Sequence, residues 1–512
     1  MDSGDDDGTR ISLWHATATA PEFPPLEQDT RVDACVVGAG ITGIGTALEL
    51  ARRGHSVLVL DDGAVGGGVT GRTTGHLASA IDDRFYWLAR MHGSDGARLA
   101  AASHAAAIDF IEANVARHAI DCDFERLPAW LMCGAGRGRE ELETELDAAS
   151  RAGLEVSLHQ NFAPTGRSLG SALRFARQGQ MHPLRYLYGL AEAVRREGGR
   201  ICTGNHVVAV EDGAPVRVTL QDGTVVECGA AVVATDSPIN DRFVMQTRQA
   251  AYRTYAIALR VPEGTWPAAL LWQTGDPYKY VRAWHDRGAG EHWLLVGGED
   301  HKTGQPEGGD PFAALRQWTA AALGIDAAPG YAWSGQIIEP HDGLAFIGRN
   351  PGDEHVFIAC GDSGNGLTHG SIAAMLLPAL IEGHDHPWAT LYSPSRRSLR
   401  ASGEYLRENA NVAAQYRELL TGGDVDSVDA IAAGEGAVLR RGFHKLAVFR
   451  DDAGALHAHS AICTHLGCVV GWNAVEKSWD CPCHGSRFDA RDGRVLDGPA
   501  AYPLHPAELP GD

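Results

Sequence analysis

Near the front of the chain the apolar run Ala34-Cys35-Val36-Val37 predicts a short strand, and the segment that follows, IGTALELARRG, has the pattern of a helix. That helix is expected to stop at Gly54. Val57-Leu58-Val59-Leu60 then predicts a second strand, ending at Asp61. Toward the back of the chain the period changes. HKLAVFRDDAG and ALHAHSAI alternate and turn at glycine, which predicts a small β domain. Between these regions Arg397 to Leu420 is polar with weak helical periodicity, a connecting helix that ends at Gly422-Gly423. No uninterrupted apolar run approaches the roughly 18 residues that a membrane span requires.

The turn between the first two strands reads Gly38-Ala39-Gly40-Ile41-Thr42-Gly43. Strand, G-x-G-x-x-G, helix, strand and acid thus follow one another within about 30 residues, the pattern of a dinucleotide site. Gly38 is expected to make the tight turn, Gly40 to admit a pyrophosphate against the backbone, and Gly43 to let the helix pack on the strand. Ile41 and Thr42 open the helix, whose N-terminus would face the phosphates. Asp61 would accept hydrogen bonds from an adenosine ribose. A second match, Gly66 to Gly71, follows no strand and reads as a loop. The motif alone leaves FAD and NAD both open, because both bind through this cradle.

Composition narrows the partners. The 512 residues include 44 basic and 65 acidic side chains, a net charge of −21. A nucleic-acid backbone and an anionic membrane are therefore disfavoured. The acidic start, MDSGDDDGTR, lacks the positive charge of a secretory or transit signal and reads as a disordered tail of a cytoplasmic protein. Ten cysteines are too sparse for a secreted disulfide scaffold, yet Cys463, Cys468, Cys481 and Cys483 crowd one stretch, which points to metal or redox chemistry.

The order of the later motifs resembles the D-amino-acid-oxidase-like family of FAD-dependent oxidoreductases. GGGVTGRTTGHLAS (66–79) is similar to that family's flavin-contacting segment and brings in Arg72, Thr73, Thr74 and His76. GQMHPLRYLYGLA (179–191), AAVVATDSP (230–238), WSGQIIEPHDGLAFIGR (333–349) and VFIACGDSGNGLTHG (356–370) follow in the family's order. The resemblance implies FAD as cofactor. It implies that Gly364, Asn365, Gly366, Leu367 and Thr368 supply amides and a hydroxyl to the isoalloxazine side at a helix N-terminus. In the dimethylglycine and sarcosine dehydrogenase branch, a segment similar to Thr73-Thr74-Gly75-His76 carries a histidine bonded covalently to the flavin. The other reading of His76 is a hydrogen-bonding group near the dimethylbenzene edge.

Residues 461–489 read AICTHLGCVVGWNAVEKSWDCPCHGSRFD. Cys463 and His465 form C-x-H, Cys481 and His484 form C-x-x-H, and fifteen residues separate the two pairs. This is the Rieske pattern, in which two cysteines hold one iron of a 2Fe-2S cluster and two histidines hold the other. A zinc knuckle uses similar residues but does not require this alternation across two loops. In the Rieske proteins of cytochrome bc-type complexes the remaining pair, here Cys468 and Cys483, forms a disulfide, and the resemblance carries it over. Ser486 is similar to the serine that bonds a bridging sulfide in high-potential members. Two residues later those proteins usually carry a tyrosine, and this chain has Phe488.

The expected architecture is an α/β (α+β) two-domain flavoprotein. A Rossmann-like FAD domain with an inserted antiparallel substrate sheet is followed by a small all-β Rieske domain. The expected boundaries are a tail and lead-in at 1–30, the flavin domain at 31–385, a linker at 386–423 and the Rieske domain at 424–512. This combination implies a dehydrogenase. A small-molecule substrate, an amine or a relative of one, gives a hydride to FAD, and the cluster passes electrons singly to an external carrier or quinone-like acceptor. Reversed flow and a non-catalytic redox carrier or sensor are the alternatives. No arginine occurs in Ser334 to His341, before Asp342-Gly343, where the family's amino-acid oxidases often anchor a carboxylate, so a simple α-amino acid is disfavoured. Tyr278, Tyr280, Arg282 and His301 are pocket candidates, with His301 the first choice as acid/base and Trp14 a further neighbour. Because Phe488 cannot donate the hydrogen bond that tyrosine gives, Phe488→Tyr is expected to raise the cluster's reduction potential. An unchanged potential in a redox titration would count against this reading of position 488.

Overall fold

The apolar run at 34–37 is the inner half of the Thr30–Val37 strand, and its last four residues are buried. Burial on both faces belongs to a central parallel strand, and Thr30–Val37 indeed lies between Val57–Leu60 and Val225–Asp236, parallel to both. The computed structural model describes residues 11–134, 136–239, 245–305, 308–397 and 399–509; the acidic stretch 1–10 lies outside them. Val356–Cys360 and Arg200–Cys202 extend the parallel sheet on its two sides. The Ile41–Arg52 helix packs on this sheet and against the apolar Gly366–Ile381 helix, which gives the layered arrangement of a dinucleotide domain.

Among the described residues a second sheet of nine strands stands beside the first. Its pairs are antiparallel except that Leu270–Gln273 runs parallel to Glu125–Met132. Gln249–Arg260 lies between Glu291–Lys302 and Pro329–Pro340, and Lys279–Asp286 pairs with the far side of Glu291–Lys302. A Cβ at Gly297 would come within 2.2 Å of the Tyr280 ring, so only glycine leaves room for that ring across the strand pair.

The C-terminal domain has a three-stranded sheet, from Glu435–Arg441 to Leu456–Ser460, and a four-stranded one, from Gly471–Asn473 to Val495–Asp497. Trp479, Phe488 and Leu504 fill its core. The Ser402–Gln415 helix forms the connector and touches both domains. Its Asn409 side chain donates to the Thr247 carbonyl at 2.8 Å, and Tyr416, just beyond it, donates to the Leu466 carbonyl at 2.8 Å.

The two domains meet through buried charge. Arg253, on the Gln249–Arg260 strand, has a side chain 1% exposed and is paired with Glu476 of the C-terminal domain, 7% exposed. The Arg253 Nε donates to Glu476 at 2.9 Å, and its Nη2 reaches both Glu476 and the Ser334 hydroxyl. Arg487 adds bonds to Asp497 at 2.8 Å and to Asp480 at 3.0 Å. Close backbone contact surrounds this network. Gly485, at φ +84°, leaves no room for a side chain, since a Cβ there would lie 2.2 Å from that of Ala251.

Burial would push the Glu476 carboxyl up, but Arg253 and then Arg487 outweigh burial and hold it well below the usual carboxylate range. Its stabilisation is therefore present above the ordinary value of 4.5 and is lost as pH falls below it. Glu476→Gln leaves two buried guanidinium groups undercompensated, and denaturant unfolding near neutral pH is expected to show a loss of about 3–5 kcal/mol. The gap between parent and variant should narrow as the titration is carried into acid. A gap that stays constant with pH would refute this assignment.

Candidate functional site

A cavity of about 1040 Å3 runs from the glycine-rich turn to the inner face of the second sheet. At its first end Gly38 has φ +107°, and a Cβ there would lie 2.5 Å from the Ala234 carbonyl oxygen. A Cβ at Gly43 would lie 1.9 Å from the Gly38 oxygen, so the helix approaches the turn as closely as backbone allows. Gly40, Ile41 and Thr42 line the cavity at this turn, and the Ile41 amide donates to the Thr70 hydroxyl at 3.1 Å. Asp61 stands at the end of its strand, accepting from the Ala39 amide at 2.6 Å and the Gly63 amide at 2.8 Å. Burial pushes its carboxyl up to about 6 against the pull of these amides.

Further along, the wall is the loop from Arg72 to His76, pinned from behind by large side chains. Trp14 donates to the Thr73 carbonyl at 2.5 Å, Trp333 to the Arg72 carbonyl at 2.7 Å, and Arg282 to the Gly75 carbonyl at 2.6 Å. Arg282 and Trp14 therefore support this loop and do not line the cavity, contrary to the sequence expectation. Arg72, Thr73, Thr74 and His76 do line it. His76 Nδ1 meets the Thr74 hydroxyl at 3.0 Å, while its buried Nε2 has no hydrogen-bond partner among the described residues. Burial, then Arg282, lowers the ring to about 3, so it stands neutral. Opposite it, residues 364–368 line the cavity where the Gly366–Ile381 helix begins, and Thr368 is fixed by His104 at 2.8 Å.

The inner end is mainly acidic and aromatic, with Arg84 and Arg137 also on its wall. Tyr278 donates to Asp82 at 2.7 Å, and the Tyr280 hydroxyl meets Thr254 at 3.1 Å. Ser363 donates to Asp83 at 2.7 Å. Burial pushes both Asp83 and Asp300 up to about 7, and raises Glu339 well above the carboxylate range. Asp300 Oδ1 is buried with no hydrogen-bond partner among the described residues. His301 is the clear correction. Alternation on the Glu291–Lys302 strand sends Asp300 into the cavity and His301 to the other face. There His301 stacks on Tyr255, ring centroids 5.5 Å apart, on the side of Glu476 and Arg253. Sequence reasoning missed Asp82, Asp83, Asp300 and Glu339. The adjacent acids at 82–83, shortly after the flavin-contacting segment, were the available signal.

In the C-terminal domain the two Cys/His loops lie side by side. Cys468 and Cys483 are joined by a disulfide. Cys463 accepts hydrogen bonds from Cys481 first, from the amides of His465 and Leu466, and from the Ser486 hydroxyl, which bring its thiol down to about 7 against burial. The His465 and His484 rings are 5.1 Å apart, edge to face. The buried Nδ1 of His484 has no hydrogen-bond partner among the described residues. Phe488 is fully buried opposite Trp479 in the neighbouring strand.

The family model for FAD dependent oxidoreductases matches residues 33–380. The chain belongs to the FAD dependent oxidoreductase family. A Rieske [2Fe-2S] domain model matches residues 423–508. The Rieske 2Fe-2S iron-sulfur protein YhfW of Bacillus subtilis is 32% identical over 504 residues, which cover 97% of each chain. Gamma-glutamylputrescine oxidoreductase of Escherichia coli is 24% identical over 389 residues, 73% of this chain and 90% of that protein. The crystal structure of glycine oxidase from Geobacillus kaustophilus superposes with a TM-score of 0.60 at 19% identity, covering 72% of this chain and 99% of the other.

The protein is thus an oxidoreductase that binds FAD and a [2Fe-2S] cluster, and its residues fit both groups. The cradle at Gly38 and Gly43 admits no side chain, and the orphaned His76 Nε2 sits on the cavity wall. The orphaned His484 Nδ1 and the adjacent Cys463 and Cys481 sulfurs have the donor chemistry of a Rieske centre. Among the described residues no helix is long and apolar enough to cross a membrane. Gly43→Ala forces overpacking that costs about 1–3 kcal/mol. The purified variant is expected to lose most of its flavin absorbance while keeping the cluster's EPR signal. Full flavin stoichiometry in that variant would remove the cradle from the assignment.

Proposed function

We propose that this protein is a dehydrogenase that oxidises a cationic amine and passes electrons through its Rieske centre to an external one-electron carrier or quinone-like acceptor. The observation that carries the reading is the row of carboxylates, Asp82, Asp83, Asp300 and Glu339, at the inner end of the FAD cavity. An ammonium group is the complement that relieves such buried acids. Tyr278 and Tyr280 add aromatic walls that favour a cation. The likeness to a gamma-glutamylputrescine oxidoreductase supports an amine as well.

When bound, FAD supplies hydride acceptance and the cluster supplies one-electron transfer. The chain's own residues do the rest. Asp300, with a pKa of about 7, is placed to hold the ammonium and take its proton, since the nitrogen must be neutral before its C–H bond yields a hydride. Tyr278, fixed by Asp82, and Tyr280, fixed by Thr254, orient the carbon to be oxidised. His76 packs neutral beside Tyr280, ring centroids 5.6 Å apart, and keeps that wall dry. Cys463, His465, Cys481 and His484 would hold the cluster, with Ser486 donating to Cys463. A reducing cytoplasm is the proposed compartment, and the free thiols Cys35, Cys122, Cys133, Cys202 and Cys228 suit it.

Anaerobic stopped-flow mixing with a panel of amines, amino acids and hydroxy acids tests the reading. Amines are expected to bleach the flavin first and the Rieske band afterwards. Asp300→Asn should raise KM for the amine about 10–100-fold by removing a charge-assisted contact, and should shift the acid limb of kcat/KM. The reading fails if no amine bleaches the flavin, or if Asp300→Asn behaves as the parent.

A further inference from the structure

The FAD cavity is not built by the flavin domain alone. Residues 494–501 of the Rieske domain form part of its wall, with Leu496, Gly498, Ala500 and Ala501 lining it beside the glycine-rich turn's partners. This segment continues Val495–Asp497, the last strand of the four-stranded sheet. It is held at both ends. At one end His206 Nε2 donates to the Ala501 carbonyl at 2.7 Å, while His206 Nδ1 pairs with Asp62 at 3.0 Å. Asp62 directly follows Asp61, which stands at the adenosine end. At the other end Asp497 joins the buried network of Arg487 and Arg253, and Arg72 of the flavin-contacting loop feels its charge. Between them Gly498 lies against Ser237, where an added Cβ would find the serine's at 3.8 Å. One further bond ties the segment to the cluster. The Ala500 amide donates to the Ser486 hydroxyl at 3.0 Å, and that hydroxyl in turn donates to Cys463.

We propose that residues 494–501 of the Rieske domain are part of the FAD-binding site: they roof the adenosine diphosphate half of the cofactor, so FAD is retained only while the Rieske domain is docked. A ligand bound there loses its exit along that wall, and its release requires the His206 bridge to open. The FAD site and the cluster site then share a structural element, one hydrogen bond from the serine that touches Cys463.

Hydrogen exchange on the cluster-loaded full chain tests this without any substitution. Adding FAD to the flavin-depleted protein is expected to slow amide exchange in 498–501 by about tenfold or more. ADP, which carries only the adenosine diphosphate half, should protect the same residues. His206→Ala should release FAD about tenfold faster, from the loss of a hydrogen bond to a charged group. Release is read as recovered flavin fluorescence after dilution, with an unchanged Rieske EPR signal showing that the domain is intact. Exchange in 498–501 that does not respond to FAD overturns the proposal, as does release from His206→Ala at the parental rate. Neither readout involves turnover, so both stand apart from the question of which amine is oxidised.

Discussion

Three arginines and three carboxylates with little access to water hold this molecule's two halves in one arrangement. Arg72 and Arg253 come from the flavin domain; Arg487, Glu476, Asp480 and Asp497 come from the Rieske domain. Charges so placed are costly unless each finds its counterpart, and most counterparts here lie across the domain boundary or one strand away. The geometry of the rest follows. Gly485 sits on Ala251, Gly304 meets Pro482, and the 494–501 segment reaches the FAD cavity in the arrangement this network spans.

The same network explains what could be read from the chain and what could not. The dinucleotide turn was legible because its parts are local: Gly38, Gly40, Gly43 and Asp61 fall within one strand-helix-strand unit. The Rieske domain is legible for a similar reason, since Cys463, His465, Cys481 and His484 carry a spacing that little else requires. Arg253 and Glu476 had no such signal, being 223 residues apart on elements that meet only after both domains fold. Nothing in the local pattern around Ala500 or Ala501 announces a neighbour of the flavin domain.

His301 illustrates a narrower limit. Its strand lines the cavity through Asp300, but polarity along Gly297 to Lys302 carries no parity. Which of Asp300 and His301 turns inward depends on the register against Gln249–Arg260 and Lys279–Asp286, and a one-residue offset exchanges the faces completely. Arg282 and Trp14 failed differently. Both are near the right loop, but they grip its carbonyls from the side away from the cavity.

The close seat of Gly485 on Ala251 bears on how electrons can travel. A shuttling domain needs a hinge and a smooth, wet face that it can leave and regain. Here the loop carrying Cys481 and His484 is keyed into the flavin domain without space for a methyl group, and the connector helix that would serve as a tether is bonded to both bodies. Under the proposed function, traffic between the two cofactors would therefore be a matter of fixed wiring, its pace set by distance and intervening atoms, with little for solvent viscosity to act on.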